Sequence, residues 1–129
     1  MMKSILKPLI ILKVMLFLTS CSQGLEGTWK VQKYQTNIAG EHNITLLDIG
    51  TMTFSDDGTG DKNINYSILG ITKTDTSSFH WMASEEQITI NSKNSEFGKT
   101  WIIIKDDRNY KKWKSTDGLN QIQILELVK

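Results

Sequence analysis

Past residue 20, no ten-residue stretch of this chain spaces its apolar side chains at i, i+3, i+4 and i+7, so no amphipathic helix is predicted there. What recurs is short runs rich in Ile, Thr, Val, Tyr, Trp and Phe, separated by turn residues. Eight such runs are read: Thr28 to Gln35; Leu46 to Phe54, with Gly50 as a point where it can break; Asp61 to Leu69, with Ile64, Tyr66 and Ile68 on one face; Ser78 to Ala83; Gln87 to Asn91; Lys99 to Lys105; Tyr110 to Ser115; and Gln121 to Val128. Asp56-Asp57-Gly58-Thr59-Gly60 reads as a hairpin loop, Glu85-Glu86 as a short polar break, and Asp106 to Asn109 and Thr116-Asp117-Gly118 as turns. Connections this short join antiparallel neighbours and cannot join parallel ones. The only proline, Pro8, precedes all of them, so no ladder is interrupted by a missing N–H. Eight strands with no helix to cover a face are expected to close into an all-β, antiparallel, up-and-down barrel, because closure removes the exposed edges.

The first 20 residues are of another kind. Lys3, Lys7 and Lys13 supply positive charge, and Leu9 to Leu12 and Val14 to Leu18 supply an apolar core. That core is too short and too interrupted to span a bilayer, which takes about 20 apolar residues. Small residues Thr19 and Ser20 then precede Cys21, the only cysteine of the chain. Leu18-Thr19-Ser20-Cys21 resembles the lipobox of a bacterial lipoprotein signal peptide. The resemblance implies cleavage between Ser20 and Cys21, lipidation of the Cys21 thiol, and acylation of the new N-terminus. Residues 1–20 are then the signal peptide, 21–26 the lipidated cysteine and tether, and 27–129 the barrel domain. Two or three acyl chains, each adding about 0.8 kcal/mol per buried methylene, make such anchoring effectively permanent. Ser22 after the cysteine, with no acidic residue before Glu26, resembles the sorting pattern for the periplasmic side of the outer membrane.

Removing a leader with three lysines and no acid takes the formal charge from +1 to −2. The densest positive stretch is Lys111-Lys112-Trp113-Lys114, with Asp106 and Asp107 close by. This is read as a strand with Lys112 and Lys114 outward and Trp113 inward, or the reverse. No nucleic-acid partner is expected. The two histidines, His42 beside Glu41 and His80 between Phe79 and Trp81, form no metal pair and no nucleophile–base set. Asp56 to Asp61 lacks the alternating acids and terminal glutamate of a calcium loop. No enzyme activity, metal or cofactor is expected.

Leu25-Glu26-Gly27-Thr28-Trp29 resembles the Gly-x-Trp opening of lipocalins and other calycin barrels. With Thr53 to Gly60 as a second-hairpin motif and Leu125 to Lys129 as a closing strand, the chain is similar to the lipocalin-like lipoproteins of Bacteroidetes-type bacteria. The resemblance implies that Trp29 plugs the closed end of the barrel and Gly27 permits close approach there. Lipocalins lay an arginine over that tryptophan. Here the only arginine, Arg108, lies in a turn, and only Lys129 is placed to substitute. Phe54, Tyr66, Phe79, Trp81, Trp101 and Trp113 come from different strands and either line a small-molecule cup or fill the interior. The expected function is that of a lipid-anchored envelope protein binding a small apolar or amphipathic ligand. The alternative is a solid barrel that serves as an interaction platform or inhibitor for an envelope protein partner.

Overall fold

The computed structural model describes residues 24–37, 43–115 and 122–129. The leader, Ser20, Cys21, His42 and the Thr116-Asp117-Gly118 turn lie outside the described residues. Among the described residues nine strands follow in chain order: β1 (Gly27–Asn37), β2 (Asn43–Phe54), β3 (Thr59–Ile68), β4 (Ile71–Asp75), β5 (Phe79–Ala83), β6 (Gln87–Asn91), β7 (Thr100–Asp107), β8 (Tyr110–Ser115) and β9 (Gln123–Val128). All pairings are antiparallel. Eight strands form a closed ring in which β1 pairs with both β2 and β9, and β2 also pairs with β3. The fold is the expected eight-stranded up-and-down barrel.

The ninth strand, β4, was not expected. It folds back on the upper half of β3, from Ile68↔Ile71 to Ile64↔Asp75, and stands outside the ring. Four of its five residues are exposed, so it carries no alternation by which a strand is recognised. Where β3 turns to β4, it leaves its other neighbour early: β3 meets β5 at only Thr59↔His80 and Gly60↔Phe79.

Alternation decides which side chains enter the barrel. On β3 these are Lys62, Ile64 and Tyr66, on β8 Lys111, Trp113 and Ser115, and on β9 Gln123, Leu125 and Leu127. On β1 the inward set changes phase, from Trp29 and Val31 to Tyr34 and Thr36. The register explains this: between Val31 and Lys33, β9 advances only from Leu127 to Glu126, while β2 runs from Gly50 to Leu47. The bulge at Gln32 and the extra residue on β2, where Asp48 has φ 53°, bend both strands and help the sheet curl shut. The break suspected at Gly50 is thus a bend within one continuous strand.

The closed end is built around Trp29, which is fully buried. Its indole Nε1 donates to the Leu25 carbonyl at 2.8 Å, drawing the segment before β1 across the base. Lys129 Nζ lies 4.6 Å from the Trp29 ring centroid and donates to the Glu26 carbonyl at 2.8 Å. A lysine therefore holds the station over the tryptophan, and Gly27 leaves it room: a Cβ there would sit 2.6 Å from Lys129 Nζ. A second cation, Lys111, is buried, 5.4 Å from the same centroid, and pairs with the Asp106 carboxylate. Of the Lys-Lys-Trp-Lys run, Lys111 and Trp113 face inward and Lys114 faces solvent.

Candidate functional site

Above Trp29 the lumen is packed with aromatic side chains. Phe54 is the hub, with Phe79 at 5.3 Å, Trp81 at 5.6 Å and Trp113 at 6.0 Å, all at steep interplanar angles. Trp81 Nε1 donates to the carbonyls of Ser55 and Thr59, tying the ring to the β2–β3 turn. Trp101 is fully buried and donates its indole N–H to the Phe97 carbonyl at 3.1 Å. Five of the six aromatics that sequence offered as ligand-lining, Phe54, Phe79, Trp81, Trp101 and Trp113, thus fill the core. Trp113 in particular is no rim residue.

Tyr66 is placed differently. Together with Tyr34, Thr36, Ile68, Lys73, Glu96 and Gln123 it lines a cup of about 170 Å³ at the end of the barrel opposite Trp29. Its wall is contributed by β1, β3, β4, β9 and the loop between β6 and β7. Gln123 is buried and organises it. Its Nε2 donates to the Tyr34 hydroxyl at 2.8 Å and reaches Glu96 Oε2 at 3.4 Å, and its Oε1 accepts from Lys99. Lys73 and Glu96 face each other across the rim at 3.9 Å, both about half exposed. A small floor of aromatic surface thus carries a hydroxyl, an amide, a cation and an anion.

Burial, and then the charge of Glu96, raise the pKa of both cup tyrosines; Tyr66, which also faces Asp75, is pushed up to about 12. Tyr110, near the closed end, is raised to about 12 by desolvation and by its 2.6 Å bond to Glu126. The folded protein therefore holds phenolic protons that the unfolded chain releases near pH 10, and stability falls as pH rises from about 10 toward 12. In a spectrophotometric titration, phenolate absorbance is expected to stay low at pH 10 and to rise only toward pH 12, where stability is also being lost. A tyrosine titrating near pH 10 with the fold intact would refute this.

Beside the cup, Lys62 spans the seam where β3 and β5 part. Its side chain is fully buried. Nζ donates to Ser92 Oγ at 2.6 Å and to Ser77 and Ser95 Oγ at 3.0 Å each, and lies 3.2 Å from Asp75. Burial pulls this ammonium below its usual range, against the pull of Asp75. For Asp75, burial pushes the carboxyl up, but hydrogen bonds from Ser95 and Ser77 and the Lys62 charge outweigh it and hold the carboxyl below its usual value. That stabilisation is present above the ordinary carboxylate range and is lost as pH falls below it. Outside the seam lies a groove of about 600 Å³, lined by residues that include His80, Ser77, Ser92, Lys93 and Gly98. His80 itself is exposed.

Sequence reasoning missed Phe97, Gln123, Lys62 and Tyr34 as parts of this end. Lys62 had a signal, since it is in phase with Ile64 and Tyr66 on β3. Among the described residues, no group of three or more His, Cys, Asp or Glu side chains is arranged to hold a metal ion. No family model and no curated protein matches the chain, so its function rests on the chemistry of the barrel itself.

Proposed function

We propose that this chain is a lipid-anchored envelope protein that binds a small amphipathic molecule at the mouth of its barrel. The observation that carries the reading is the cup itself: two tyrosine rings and the buried Gln123 amide beneath a rim of Lys73 and Glu96. A void of about 150 Å³ is enough for a benzene ring, so the cup suits the ring-sized part of a ligand whose remainder extends into solvent. The anchor is the Cys21 lipid, and the compartment is the periplasmic side of the outer membrane. Protease shaving of intact cells should leave the domain untouched; its removal would place it on the outer surface. Native mass spectrometry of protein purified from its own host is expected to find one recurrent small adduct that Tyr66→Ala loses. Protein that is empty in every preparation would count against the reading.

The packed lumen favours a second reading. A barrel whose interior is occupied by Phe54, Phe79, Trp81, Trp101 and Trp113 is a rigid body that can present its outer surface to an envelope partner. Cross-linking in membranes separates the two: one stoichiometric protein partner, with no small adduct, supports the platform.

A further inference from the structure

Phe97 reaches the lumen from outside the ring of strands. Between the end of β6 at Asn91 and the start of β7 at Thr100, residues 92–99 form an irregular strap that sends Phe97 into the barrel. Phe97 is fully buried. Its ring packs 5.1 Å from Tyr34 and 6.5 Å from Tyr66, the two tyrosines that line the mouth cup. Its carbonyl caps the Trp101 indole.

The strap is held unlike anything else around the lumen. A strand residue is fixed by ladder bonds, usually on both sides. Within the strap the backbone bonds are local, Gly98 N–H to the Ser95 carbonyl and Lys99 N–H to the Phe97 carbonyl. Its lateral ties are mostly through side chains: the Lys62 bonds to Ser92 and Ser95, the 2.5 Å bond from Ser95 to Asp75, and the Gln123 contacts to Glu96 and Lys99, with the Lys99 carbonyl accepting from Ile90 N–H where β7 is about to begin. It lies beside the weakest seam of the ring, where β3 and β5 share two pairs. On its outer side the groove lined by Ser92, Lys93 and Gly98 leaves it space. Displacing Phe97 exposes one phenyl ring and opens a phenyl-shaped slot. An apolar ring entering that slot restores most of the lost burial, so the remaining cost of opening lies in the strap's polar ties, the clamp at Lys62 and the Trp101 bond among them.

We infer that Phe97 is a displaceable stopper: the ligand's apolar, ring-sized end takes its place against Tyr34 and Tyr66, the 92–99 strap moves outward, and the strap's polar ties, the Lys62 clamp foremost, set how readily the slot opens. This rests on the reading of the mouth as the binding site, and it adds where the apolar end goes and what competes with it. The ligand class is a molecule with one planar apolar end and a polar remainder that reaches Lys73, Glu96 or Gln123. A ligand that binds only an open form has its affinity reduced by the fraction of molecules that are open, so a weaker clamp strengthens binding.

The test uses the full chain and 3-phenylpropan-1-ol as probe, followed by NMR. Binding to the wild-type protein should shift the Trp101 indole N–H resonance, because the Phe97 carbonyl leaves it, and should increase amide exchange across 92–99. Ser92→Ala/Ser95→Ala, which keeps the Lys62–Asp75 pair, should bind at least about threefold more tightly. Phe97→Ala should bind more tightly still. Probe binding that perturbs Tyr66 but leaves the Trp101 indole and strap exchange unchanged would overturn the stopper and leave the mouth site standing. Folded protein, wild type and both variants, that takes up no probe would overturn both. The wild-type spectra decide the matter even where a variant fails to fold.

Discussion

Trp29→Ala is expected to melt more than about 10 °C below the wild-type protein, or not to fold. The side chain is fully buried where the ring of strands closes, and its indole binds the Leu25 carbonyl. Truncating a buried tryptophan costs about 3 to 5 kcal/mol, because the cavity collapses only in part. The loss also takes the aromatic face from two cations, Lys111 and Lys129, the first of them buried. A domain of this size has about 5 to 10 kcal/mol in total, and each kcal/mol is worth several degrees of melting temperature. Thermal denaturation by circular dichroism measures it. A variant melting within a few degrees of wild type would mean that Trp29 does not plug the barrel.

Gly50→Ala is expected to be nearly as damaging, although it adds one methyl group. Gly50 has φ 143°, a conformation that L side chains rarely adopt. A Cβ there would lie 2.0 Å from the Asn63 carbonyl oxygen on β3. The obstacle is backbone, at Asn63 and at Gly50's own partner Ile64 in the β2–β3 seam. Relief requires the two strands to separate beside the Asp48 bend. Strain of this kind with overpacking costs on the order of 2 to 4 kcal/mol. Urea denaturation should show a lowered midpoint with an unchanged slope. A midpoint equal to wild type would show that the bend relaxes freely.

The barrel was legible because most strands bury one face. Ile64 and Tyr66, Ile88 and Ile90, and Leu125 and Leu127 alternate with exposed or half-exposed neighbours, and glycine and aspartate mark the main turns. β4 was not legible because Thr72, Lys73 and Thr74 face water on both sides of the strand. Phe97 was hidden by its setting, a lone aromatic between Glu96 and Gly98 in a polar stretch, where periodicity has nothing to say. The mouth was hidden by distance along the chain. Gln123 meets Tyr34 across 89 positions, and only the pairing of β1 with β9 makes them neighbours. The two inward lysines followed the phase of their strands, and their charge argued the other way until partners were in view. Asp75 and the serines answer for Lys62, and Asp106 with Trp29 for Lys111.

The Leu25 carbonyl bound to Trp29 fixes where the chain leaves the barrel, and so which way the domain stands. Gly24 is the third residue after Cys21, a reach of about 10 Å at full extension. With acyl chains on that cysteine, as proposed, the base is held against the headgroups like a goblet on a short foot. The eleven residues of β1 rise about 35 Å along the strand, or about 25 Å once barrel tilt is allowed for. On that proposal the cup lined by Tyr34 and Gln123 faces away from the anchoring leaflet, beyond the reach of a lipid still seated in it. A guest must arrive through water or be handed over by a carrier on the far side of the gap.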